Sequence, residues 1–206
     1  MTTDADTIES STSQAEIDDL ILEVLPLQGE WSEEHYLWLT DNTNRLIELN
    51  DGYLEVLPMP TDEHQTILLF LYELFLTYIR PIGGKVLVAP LRVRIQPRKY
   101  REPDLLLLRS ANDTRRQNRY WLGADLTLEV VSPDKPERDL VQKRSDYAQA
   151  GISEYWIVNP ESATITVLRL EGEAYAEHGV FGRGTMATSV LLSGFSIDVD
   201  AVFDTD

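Results

Sequence analysis

EPDLLLLR at 102–109, LTLEVVSP at 126–133, RDLVQKRSDYAQAG at 138–151 and EYWIVNP at 154–160 decide how this chain folds. The first stretch is an apolar run opened by a carboxylate, Asp104, and the second carries a carboxylate, Glu129, inside an apolar run. Short apolar runs bounded by turn formers predict buried strands, here over 105–109 and 126–131. Pro133 and Pro136 lack the N–H that a central ladder needs, so the chain turns there. The segment 137–150 reads as a helix closed by Gly151, with Leu140, Lys143, Tyr147 and Ala150 on one face. If that face packs on the sheet, it carries Lys143 inward. A further strand over 155–158 is then reached by a crossover, right-handed if the two strands run parallel. If the first two strands pair antiparallel, the first residue of one faces the last of the other, so Asp104 and Glu129 meet at one sheet edge. Two carboxylates and a lysine from one compact unit make the geometry of a divalent-metal site.

Upstream, WSEEHYLWL at 31–39 predicts a short amphipathic helix with Ser32 as N-cap, and 17–25 has helical spacing too. The runs flanking Asn50-Asp51-Gly52 predict a tight hairpin. From Thr61 or Asp62 a helix runs to about Tyr78, with Ile67, Leu68, Leu71, Leu74, Phe75 and Tyr78 as its apolar stripe. Glu63 in its first turn suits the helix dipole. His64 either faces the cleft as a catalytic candidate or serves as a capping or core residue. A strand over 85–95 follows, and downstream 164–170 and 174–178 predict a hairpin, with a last edge element over 189–202.

The chain has no Cys, which excludes disulfides, thiolate metal sites and a thiol nucleophile. With 206 residues, 43% of them hydrophobic, it is expected to be one domain over 15–206 behind a disordered acidic tail over 1–14. No apolar run approaches the roughly 20 residues needed to cross a bilayer, so a soluble, cytoplasmic protein without a membrane partner is expected. The net charge of -17 argues against a nucleic-acid partner, yet residues 85–144 hold 14 Lys/Arg against 8 Asp/Glu. Arg92, Arg94 and Arg101 of that stretch are candidates for phosphate contacts in a basic groove beside the carboxylates; solvated strand faces are the plainer alternative.

The order helix, strand, Pro103-Asp104 strand, Glu129 strand, helix, strand resembles the core of the PD-(D/E)xK nuclease superfamily. Within it, RLIELNDGYLEVLPMP, EHQTILLFLYEL, VLVAPLRVRI, EPDLLLLR, LEVVSP, DLVQKRSDYAQAGISEYWIVNP and ITVLRLEGEAY are similar to the Uma-type restriction-endonuclease family, over roughly 36–203. The resemblance implies an α/β fold with a restriction-endonuclease-like core: a four-stranded mixed sheet flanked by helices, with extra N-terminal and C-terminal β-hairpins. It carries Asp104 and Glu129 over as metal ligands. One position departs from the pattern, since Val131 stands where the motif expects a lysine. Lys143, within a K-R-x-x-Y-x-x-x-G string, is the substitute that the resemblance implies.

Hard oxygen ligands suit Mg2+ or Mn2+, held by Asp104, Glu129 and the carbonyl of Val130. Lys143 would orient the attacking water or stabilise charge on phosphate. The leading expectation is therefore a metal-dependent endonuclease acting on DNA. Two alternatives stay open: a catalytically inactive nucleic-acid- or protein-binding module on the same fold, and an interaction protein forming a homodimer through apolar strand edges.

Overall fold

A computed structural model describes residues 25–133 and 136–205. The expected tail over 1–14 lies outside the described residues, as does the helix over 17–25 apart from Leu25. Helix α1 (Glu33–Asp41) starts where the Ser32 hydroxyl accepts the His35 N–H at 3.1 Å. Strands β1 (Ile47–Asn50) and β2 (Tyr53–Val56) form the expected hairpin. Asp51 and Gly52 take φ of 51° and 92° there, the left-handed angles that a two-residue turn requires. Helix α2 (Asp62–Ile79) is capped by Thr61, whose hydroxyl accepts the His64 N–H at 3.2 Å.

The strand expected over 85–95 is two strands in two sheets, β3 (Lys85–Val88) and β4 (Val93–Gln96). Pro90 between them offers no N–H to a ladder, and the chain leaves one sheet for the other at that point. Then follow β5 (Lys99–Arg101), β6 (Leu105–Leu108) and β7 (Leu126–Val130). A π-helical turn (Arg138–Gln142) runs into α3 (Lys143–Gln149), and β8 (Glu154–Asn159) returns parallel to β7. The chain ends with the hairpin β9 (Thr164–Glu171) and β10 (Ala174–Gly182), the pair β11 (Met186–Thr188) and β12 (Ser196–Asp198), and α4 (Val199–Phe203).

The main sheet has the order β10-β9-β8-β7-β6-β3. Its β3, β6, β7 and β8 are the expected mixed core, in which only β7 and β8 run parallel. The sheet is six-stranded rather than four-stranded because β9 and β10 continue it. The N-terminal hairpin instead joins β4 and β5 in a second sheet of order β2-β1-β5-β4.

Both faces of the main sheet are covered, so β6 reads LLLL rather than alternating with polar residues. Leu105, Leu107, Leu128 and Val130 pack with Ile67, Leu71 and Phe75 of α2. Leu106 and Leu108 pack on the opposite side with Tyr147 and Tyr155. Because side chains alternate along a strand, burying Leu128 and Val130 under α2 turns Glu129 toward the π-helical turn and α3.

Candidate active site

Asp104 stands just before β6. The register that pairs Leu105 with Leu128 sets it opposite Glu129, as the antiparallel reading requires. Its Oδ2 accepts the Val130 N–H at 2.8 Å and lies 3.1 Å from His64 Nε2. Thr61 begins α2 so that its first turn delivers His64 to the carboxylate of Asp104.

Lys143 Nζ lies 2.7 Å from Glu129 Oε2 and 3.1 Å from Asp139 Oδ1, with its side chain 1% exposed. Tyr147, one turn on, donates its hydroxyl to Glu129 Oε1. Asp104, Glu129, Lys143 and His64 thus converge, and Val130 contributes its N–H to Asp104. Leu140 does not share the inward face as expected and is 39% exposed. The π-helical turn before Lys143 breaks the 3.6-residue periodicity on which that expectation rested.

The basic rim is not built as expected. Arg101 is 2% exposed, with Nη1 on Glu48 Oε2 at 2.7 Å and Nη2 on Asp146 Oδ2 at 2.6 Å. It is therefore sealed away from any phosphate. Arg92 is paired with Asp41 and Thr40, and Arg94 with Glu33. Their acids come from α1, far off in sequence, so the charge cluster in the chain is largely neutralised in space.

Glu48, Glu102, Arg138 and Asp139 escaped the sequence reading, and all four are buried. Glu48 sits on β1 between Ile47 and Leu49, an acid inside an apolar run, which is the signal that singled out Glu129. Asp139 precedes Lys143 by four residues. Glu48 Oε1 accepts the Glu102 N–H at 3.0 Å and lies 3.9 Å from Lys143 Nζ.

Burial pushes the Glu129 carboxyl up to about 8, against the pull of Lys143. For Lys143, burial favours the neutral amine, but Glu129, Asp139 and Glu48 outweigh it and hold the group protonated. Glu48 is driven down to about 2: burial opposes its charge, and Lys143, Arg101 and the Glu102 N–H overcome that. Glu102 is lifted to about 8 by burial and by its neighbour Glu48. His64 is raised above its ordinary value, burial being outweighed by the bond to Asp104.

A cavity of about 80 Å³ opens between His64, Glu102, Asp104, Glu129, Asp139 and Lys143. At roughly 30 Å³ per water it has room for an ion with a few waters. Glu102 Oε2 is buried beside it without a hydrogen-bond partner. Among the described residues no cluster of three or more Asp, Glu or His forms a ready-made metal cage. Mg2+ keeps several waters and needs only one or two carboxylates, so Asp104 and Glu129 beside a small cavity fit such an ion. A second cavity of about 410 Å³ shares Pro58, Pro60, His64 and Ser132 with the first.

No helix among the described residues is long and apolar enough to cross a membrane. Among curated proteins none matches this chain. Among solved structures, the crystal structure of "a putative nuclease belonging to DUF820 from Anabaena variabilis ATCC 29413" superimposes with a TM-score of 0.69. That match covers 84% of this chain and 97% of that one at 19% identity, a likeness of fold. The Uma2 family model, described as "Putative restriction endonuclease", matches residues 32–200. With most of its length matched, the chain belongs to the Uma2 family.

Proposed function

We propose that the protein is a Mg2+- or Mn2+-dependent endonuclease that hydrolyses phosphodiester bonds of DNA at this site. The observation that carries the reading is the meeting of Asp104, Glu129 and Lys143 from three separate elements on one small cavity. Asp104, Glu129 and the Val130 carbonyl are the proposed ligands. When bound, the ion would neutralise a phosphate oxygen and lower the pKa of a water.

The chain's own groups supply the rest. Asp104, with 18% of its side chain exposed, is the open side of the site, whereas Glu129 and Lys143 are sealed. Phosphate therefore approaches from the Asp104 side. Val130 N–H and His64 hold one oxygen of Asp104 and leave the other free for a ligand role. Tyr147 fixes Glu129 from below. Lys143, held protonated, offers positive charge to the phosphate as negative charge develops there, the role that the motif's lysine would fill at Val131. His64, beside the mouth, can give a proton to the leaving oxygen.

One observation favours a non-catalytic binding module instead: Val131 is buried in the core beside Tyr147 and brings no cation to the site. Incubating plasmid DNA with the protein and Mg2+ or Mn2+, beside Asp104→Ala, decides between them. Ion-dependent cleavage lost in the variant supports the enzyme. A parent that cuts nothing with either ion leaves the binding module.

A further inference from the structure

We infer that Asp139 and Glu48 are positioning residues that retain the Lys143 ammonium in the site when a divalent ion takes over Glu129. The inference rests on the metal-dependent reading above. Both oxygens of Glu129 are engaged, Oε1 by the Tyr147 hydroxyl and Oε2 by Lys143 Nζ. An ion that uses Glu129 adds to one of these oxygens, so it competes with the ammonium for the charge of the carboxylate and repels it at short range.

The ammonium has little freedom to leave. Lys143 is 1% exposed, and its other carboxylate neighbours among the described residues are Asp139 Oδ1 at 3.1 Å and Glu48 Oε1 at 3.9 Å. Glu48 is held directly, and the turn that carries Asp139 is pinned through its backbone. The Asp139 carbonyl accepts the Tyr155 hydroxyl at 2.8 Å, pinning the π-helical turn to β8. Glu48 is clamped by Arg101 on Oε2 and by the Glu102 N–H on Oε1. Lys143 therefore sits in a cage of three carboxylates from β7, the π-helical turn and β1. When Glu129 is claimed, the other two hold the charge next to the phosphate. The N-terminal hairpin thus becomes part of the working site through Glu48.

Mn2+ affinity, measured by calorimetry on the full chain, tests this without reference to cleavage. Asp139→Asn should weaken Mn2+ binding by about tenfold, because Lys143 then clings to Glu129. In the Lys143→Met background Asp139→Asn should cost nothing further, so the double variant should match Lys143→Met. Glu48→Gln should behave as Asp139→Asn with a smaller loss. If Asp139→Asn has no effect, or costs the same factor in the Lys143→Met background, Asp139 is not acting through Lys143 and the inference is overturned. Should a variant fail to fold, a crystal structure of the parent with Mn2+ gives the same decision. Nζ bonded to Asp139 supports the inference; Nζ still on Glu129, or turned out to solvent, refutes it. A parent that binds no Mn2+ removes the metal-dependent reading itself, whereas Mn2+ binding without the expected pattern removes only this inference.

Discussion

Lys143→Met deletes the ammonium while keeping an unbranched stem of similar size against Tyr147 and the sheet. Two effects separate. On cleavage, loss of a preorganised charge beside the phosphate should cost about 10²-fold or more in rate, or ~2.7 kcal/mol of barrier. On stability, breaking a buried pair costs roughly 3–5 kcal/mol if the surviving carboxylate stays charged. Glu129 need not stay charged. Burial holds its folded-state pKa at about 8 even with Lys143 present, against 4.5 for the ordinary group, and without the lysine it rises further. A carboxyl with a raised folded pKa contributes stability below its unfolded pKa and loses it as pH rises toward the folded one. In the folded state parent and variant then both carry a protonated Glu129 from about pH 5 to about pH 7, so their melting temperatures should stay close and fall in parallel there; above about pH 8 only the parent's Glu129 ionises, and the variant should drop below it as pH rises to about 9.

Plasmid nicking with Mn2+ gives the rate, and thermal unfolding across that pH range gives the stability. Cleavage at the parent's rate would make Lys143 a packing residue. A deficit that does not widen above about pH 8 would mean that Glu129 does not keep its proton when its partner is removed.

Asp104→Ala should abolish both Mn2+ binding and cleavage, read by calorimetry and nicking; an intact binding isotherm would place the ion elsewhere. Arg101→Leu should destabilise the fold by about 3–5 kcal/mol in chemical denaturation, because Glu48 and Asp146 are left buried without their guanidinium. Arg92→Glu with Arg94→Glu should leave DNA affinity and its salt slope unchanged, since both arginines are engaged by Asp41 and Glu33. A weaker, flatter salt dependence would return them to the interface. Glu154→Gln should cost ~1.5–3 kcal/mol, because Glu154 accepts from Trp156 Nε1, Ser189 Oγ and the N–H groups of Val190 and Leu191.

The pairing of Asp104 with Glu129 was legible because a strand's period of two leaves no freedom: once Leu105–Leu108 and Leu126–Val130 pair antiparallel, the residue before one meets an end of the other. The inward turn of Lys143 was legible from helical spacing, which puts it on the same face as Tyr147. Leu140 was not, since a π-helical turn depends on what Tyr155 and the cage of carboxylates stabilise, and nothing in RDLVQ marks it. Glu48 carried a signal as strong as that of Glu129, an acid flanked by buried apolar residues, but its partners Arg101 and Lys143 lie 53 and 95 residues away. Local pattern says which way a side chain points; it does not say what will neutralise it there. The arginines make the same point from the opposite side. Read along the chain they form a basic stripe, but a protein with 35 acids and 18 bases has an acid to spare for nearly every cation. Folding spends the stripe on Glu33, Asp41, Glu48 and Asp146. The cations left at the cleft are Lys143 and Arg138, both buried, and Lys143 lies within reach of three carboxylates that local pattern did not assemble.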